Sequence, residues 1–173
     1  MELRQLYELA EQENIPVLTF PLPETGSMSV MDAGGRCFVG MDPDLRDGSV
    51  AERVHLSHEL GHCVTGSFYN IYAPADSRQR HENRANKWAI QQLIPVEQLD
   101  DAIACGCTEV WELAERFQVT EEFIRKTVCW YVHGNVAAEL YFQQPEAEPT
   151  GSASFYGSNP SKMGIQPSAR AVS

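Results

Sequence analysis

The chain has 173 residues, 43 % of them hydrophobic, with 13 Lys and Arg against 24 Asp and Glu for a formal charge of −11. That is one domain's worth of chain with apolar content for a core, and too acidic for a nucleic-acid surface, which needs clustered cations to displace counterions. No apolar run approaches the roughly 20 residues of a membrane span.

The N-terminus, MELRQLYELAEQEN, lacks the apolar centre of a signal peptide. Five cysteines at unmatched spacings do not read as a disulfide framework. The expectation is a reduced, cytoplasmic protein. Leu3, Leu6, Tyr7 and Ala10 recur at helical spacing and predict a helix over residues 2 to 13. Pro16, Pro21 and Pro23 then force extended chain, with a short strand from Ile15 to Phe20. Ser27–Asp32 and Arg36–Met41 flank Asp32-Ala33-Gly34-Gly35, a hairpin turn. Helices follow over 49–64 and 78–94, where Pro95 stops the second and opens another that runs to Ala104. Two more run from Glu109 to Phe117 and from Glu121 to Val132, with Gly134 as the stop. Strands first and helices later predict an α+β fold, with a short antiparallel sheet ahead of a helical bundle. Residues 1–143 form the domain. Residues 144–173 hold four Pro, three Gly and six Ser without apolar periodicity and read as a disordered tail.

The chemistry lies in His58-Glu59-Leu60-Gly61-His62, an HExxH motif. Four residues along a helix return a side chain to the same face. His58 and His62 can therefore share one metal ion, while Glu59, about 100° round the helix, stands beside it as a general base. On this helix Ala51, His55, His58 and His62 form one stripe, and Leu56, Leu60 and Cys63 the opposite one. A catalytic zinc needs a third protein ligand and an open position for water. Glu82, Ala85, Asn86, Ala89 and Leu93 form one stripe of the next helix, and its alanines permit close approach to the first. Glu82 is thus the candidate ligand; His81 points about 100° away from it.

Arg53-Val54-His55-Leu56-Ser57-His58-Glu59-Leu60-Gly61-His62, Glu82-Asn83-Arg84-Ala85-Asn86-Lys87-Trp88-Ala89 and Leu93-Ile94-Pro95 resemble the ImmA/IrrE family of metallopeptidase domains over about residues 1–132. Ser57 stands for the family's usual Ala, Trp88 for Phe and Ile94 for Met. The resemblance implies a gluzincin-like site: one Zn2+ per chain on His58, His62 and Glu82, water in the fourth position, and Glu59 as base. It implies Asn86 steadying the first histidine, where related gluzincins carry an acid; a helix-packing role for that amide stays open. It further implies a regulatory endopeptidase whose protein substrate is a helix-turn-helix repressor of a phage, mobile element or stress response. A catalytically silent interaction or anti-repressor module is the alternative. Tyr69, Tyr72, His55 and His81 are all candidates for stabilising the oxyanion. Residues 109–132 look like a helix-turn-helix, but five acids against Arg116, Arg125 and Lys126 favour packing or partner docking over DNA. Cys105-Gly106-Cys107 is too tight for a zinc knuckle, and Cys63 points to the core face.

Overall fold

A computed structural model describes residues 1–70 and 72–134. The elements run α1 (Leu3–Gln12), β1 (Val17–Thr19), β2 (Ser27–Met31), β3 (Cys37–Met41), a 3-10 turn (Pro43–Leu45), α2 (Val50–Thr65), α3 (Ala75–Leu93), α4 (Val96–Ala104), α5 (Val110–Phe117) and α6 (Glu121–His133). The class is α+β. The tail beyond residue 143 and Tyr141-Phe142 lie outside the described residues.

Capping chemistry fixes where the elements begin. Glu2 and Gln5 form a reciprocal box at the start of α1. Ser49 Oγ accepts from Glu52 N at 3.2 Å to open α2, and Gly66 closes it in a left-handed conformation. Thr120 Oγ1 accepts from Phe123 N at 3.2 Å to open α6. Helix α3 starts at Ala75, three residues before the sequence expectation of Arg78. Pro74, its φ already near helical, accepts from Ser77 N and Arg78 N and sets that extra turn.

The sheet order is β1-β3-β2. The β2–β3 hairpin is antiparallel, with Ser27 opposite Met41 and Met31 opposite Cys37. Strand β1 pairs with β3 in parallel, so the sheet is mixed where an antiparallel one was expected. The reason is the long connection over residues 20–26. It carries the chain past β3, so that the returning hairpin presents its second strand to β1. Asp42 clamps this connection: its carboxylate accepts from Leu22 N, and its own N–H donates to Gly26 O at 2.7 Å.

One apolar cluster joins the inner residues Val39 and Met41 of β3 to Leu6 and Ala10 of α1, Leu56 and Leu60 of α2, and Ala89, Ile90 and Leu93 of α3. The α2–α3 pair is the centre of the domain. A methyl group at Gly61 would stand 2.6 Å from the carbonyl oxygen of Ala85, closer than any real contact. The missing side chain at Gly61 and the small one at Ala85 therefore set the distance between the two helices.

Two buried charges in α2 tie the periphery to this centre. Glu52 accepts from Tyr7 OH and from Gly48 N. Arg53 donates to the carbonyl oxygens of Met1, Phe117 and Gln118, fastening the N-terminus and the α5–α6 corner to α2. Burial lowers the Arg53 pKa, with Glu2 opposing the shift, and satisfied hydrogen bonds are what make such a burial tolerable. No described helix is long and apolar enough to cross a membrane.

Candidate metal centre

The Gly61–Ala85 approach brings the Glu82 carboxylate of α3 over the histidine face of α2. His58 Nε2 lies 3.3 Å from Glu82 Oε2, His62 Nε2 lies 3.5 Å from Glu82 Oε1, and the two Nε2 atoms are 3.1 Å apart. Donors about 2.05 Å from one tetrahedral zinc ion stand about 3.3 Å from each other. The three side chains are the one His/Cys/Asp/Glu cluster of metal-binding size among the described residues. His81 is not part of it, and its buried Nδ1 has no hydrogen-bond partner among the described residues.

The far side of each imidazole is also set. His62 Nδ1 donates to the Ser67 carbonyl oxygen at 2.7 Å, and His58 Nδ1 lies 3.2 Å from Asn86 Oδ1. Both acceptors place a proton on Nδ1, so Nε2 is the ring atom each histidine turns toward Glu82 and the one it can offer to a metal. That is the tautomer a metal needs, held by outer partners in the usual way. The chemistry of the donor set therefore fits a divalent ion of intermediate softness.

The charges of the metal-free site show the same pull for a cation. Burial alone would raise the Glu82 carboxyl, but hydrogen bonds from His58, His62 and Tyr69 override it and hold its pKa far below the usual range. Burial would lower His62, yet its bonds to Glu82 and Ser67 and the Glu82 charge raise it.

A cleft of about 430 Å³ opens on the ligand cluster. His55, His58 and Glu59 of α2, Glu82 and Asn86 of α3, and Ser27 line it on one side. Thr120, Glu122, Phe123 and Lys126, at the start of α6, form the facing wall. The first half of α6, with its N-cap, therefore lines the cleft. Burial pulls the Lys126 pKa down, against the attraction of Glu122 and Glu82. His58 and Glu82 remain 25 % and 30 % exposed toward the cleft while His62 is 8 % exposed. The cluster is thus open on one side, as a catalytic site requires and a structural one does not.

Of the four oxyanion candidates, Tyr69 donates its hydroxyl to Glu82 Oε1 at 2.6 Å. Burial and that bond raise its pKa to about 12. Tyr72 is 88 % exposed, and His55 is engaged beside Glu59 through Ser27. Sequence reasoning missed Ser27, the Ser67 carbonyl and Lys126. A lone Ser, a backbone oxygen and a lone Lys carry no spacing signal, and only the fold brings Ser27 and Lys126 to the cleft and the Ser67 carbonyl to His62.

An α+β domain with an HExxH helix, a glutamate on the following helix and an open cleft defines the class of zincin-like metal-dependent hydrolases. Residues 10–128 match the family model described as the IrrE N-terminal-like domain, peptidase family M78, and the chain belongs to this family. It is a family of metal-dependent peptidases. Comparison with curated proteins and with solved structures gives no match.

Proposed function

We propose that the protein is a zinc-dependent endopeptidase with His58, His62 and Glu82 as metal ligands, Glu59 as general base and Asn86 orienting His58. The observation that carries this reading is the donor spacing of 3.1 to 3.5 Å across α2 and α3, in a cleft that Glu59 also lines. His58, His62 and Glu82 would hold a zinc ion, which when bound would supply Lewis acidity to the attacking water and to the scissile carbonyl. Glu59 accepts a proton from the attacking water at a carboxylate oxygen and delivers it to the leaving amine nitrogen. Tyr69 donates its phenol hydrogen to the carbonyl oxygen as charge develops there, exchanging its bond to Glu82 for one to substrate.

The substrate class we infer is a helix-turn-helix repressor. The −11 charge suits a basic partner, and the resemblance to regulatory peptidases points the same way. Free Cys37, Cys63, Cys105, Cys107 and Cys129 suit action in a reducing cytoplasm. The test compares zinc-loaded wild type with Glu59→Gln on candidate repressors. The variant keeps its zinc and loses cleavage. Equal cleavage by both, or zinc without cleavage in either, contradicts the peptidase reading and leaves an interaction module.

A further inference from the structure

Ser27 is the first residue of β2, 6 % exposed, and its hydroxyl bridges two side chains of α2. Its Oγ donates to Glu59 Oε1 at 2.8 Å and lies 2.8 Å from His55 Nδ1. The hydroxyl has one hydrogen. Since that hydrogen points at Glu59, the oxygen accepts from His55, and His55 carries its proton on Nδ1. The chain of donors therefore runs from His55 through Ser27 to Glu59. Burial lowers the pKa of His55 against the pull of Glu59, which favours the neutral ring with a single N–H to place.

We propose that Ser27, locked in place by His55, is the positioning residue that holds the Glu59 carboxylate in its working orientation. This rests on the reading of Glu59 as general base. Glu59 is 7 % exposed, and a glutamate has three side-chain torsions to fix. Proton transfer requires the base within about 2.6–3.2 Å of the heavy atom that carries the proton. With Oε1 tied to Ser27, the other oxygen is the one left for the proton.

The surroundings hold the bridge from both sides. Gly26 turns the chain into β2 at φ 71°, a conformation that residues with a side chain rarely adopt, and so sets the position of Ser27 beside it. Asp42 clamps the same stretch through Leu22 N and Gly26 O. The clamp, the strand and the helix thus converge on one hydroxyl. Nothing in this arrangement is spent on the metal ligands. The bridge therefore acts on the base and leaves the metal alone.

The test uses the full chain loaded with zinc. Long-range proton–nitrogen NMR of His55 at neutral pH shows protonated Nδ1 and bare Nε2 in wild type. In Ser27→Ala the ring loses that preference and the Glu59 carboxylate carbon resonance, assigned through Glu59→Gln, moves. Bare Nδ1 in wild type, or unchanged His55 and Glu59 signals in Ser27→Ala, overturns the proposal. On the quenched-fluorescent peptide that wild type cuts fastest from a mixed pool, Ser27→Ala lowers kcat by about 10- to 100-fold with KM and zinc content unchanged. Ser27→Thr, which keeps the hydroxyl, restores most of that rate. Zinc lost together with activity in Ser27→Ala overturns the proposal by making Ser27 a structural support of the metal site. A zinc-loaded wild type that cuts no peptide contradicts the peptidase reading instead, and the NMR result still decides whether Ser27 orients Glu59.

Discussion

Gly61→Ala separates two opposed effects at the α2–α3 crossing. In a helix interior alanine is favoured over glycine by about 0.8–1 kcal/mol, so an unpacked helix would gain stability. Here the added methyl would meet Ala85 O at 2.6 Å, Ala85 Cα at 3.1 Å and Ala85 C at 3.2 Å. These are backbone atoms and cannot rotate away. Relief to an ordinary contact needs the helices to part by about 0.8 Å, and overpacking of this kind costs about 1–3 kcal/mol. The net effect is a loss of up to about 2 kcal/mol, the clash outweighing the propensity gain. The same displacement acts on the metal centre, because His58 and His62 ride on α2 and Glu82 on α3. Metal–ligand distances tolerate about 0.2 Å, so zinc affinity falls by tenfold or more. The assay is denaturant unfolding with and without zinc, together with zinc competition against a chelator, using Val64→Ala on the exposed face of α2 as the control. A Gly61→Ala protein of equal or higher stability and unchanged zinc affinity refutes the close approach as the element that builds the site.

Arg53→Met removes the donors to Met1 O, Phe117 O and Gln118 O while roughly keeping side-chain volume. It lowers stability by about 2–4 kcal/mol, the usual range for several charge-assisted bonds with buried carbonyls left unpaired, measured by chemical denaturation. In the metal-free protein the raised His62 pKa gives stability that is complete below the unfolded value of 6.5 and is lost as pH rises through the folded value. The depressed Glu82 pKa gives stability present above the unfolded value of 4.5 and lost as pH falls toward the folded value. Zinc competes with the proton on His62, so the rise in Tm on adding zinc grows from pH 5.5 to about pH 8. A zinc-induced shift that is flat or falls over that interval contradicts the assignment of His62 as a ligand.

Local signals were the legible ones. The HExxH spacing, read as one helix face, is the face on which His58 and His62 stand 3.1 Å apart. The Glu82–Ala85–Ala89 stripe anticipated a close helix pair, and Gly61 against Ala85 is where that approach occurs. Pro95, Gly134 and the 32–35 turn marked element ends because their backbone preferences act without tertiary help. Long-range consequences were not legible. The parallel pairing of β1 depends on how residues 20–26 cross the sheet, which periodicity does not encode. The burial of Glu52 and Arg53, both 4 % exposed, carries no spacing signal, because the N-terminus, the 48–49 turn and the α5–α6 corner that partner them are distant in sequence or irregular. The position of Tyr69, whose hydroxyl lies 2.6 Å from Glu82, depends on the loop after α2, which spacing does not encode.

The central claim is that His58, His62 and Glu82 hold one catalytic metal ion. Elemental analysis of purified protein, wild type beside Glu82→Ala, tests it most directly. Wild type carries about one zinc per chain, and Glu82→Ala loses it while staying folded. No zinc in wild type after reconstitution, or full zinc retained in Glu82→Ala, contradicts it.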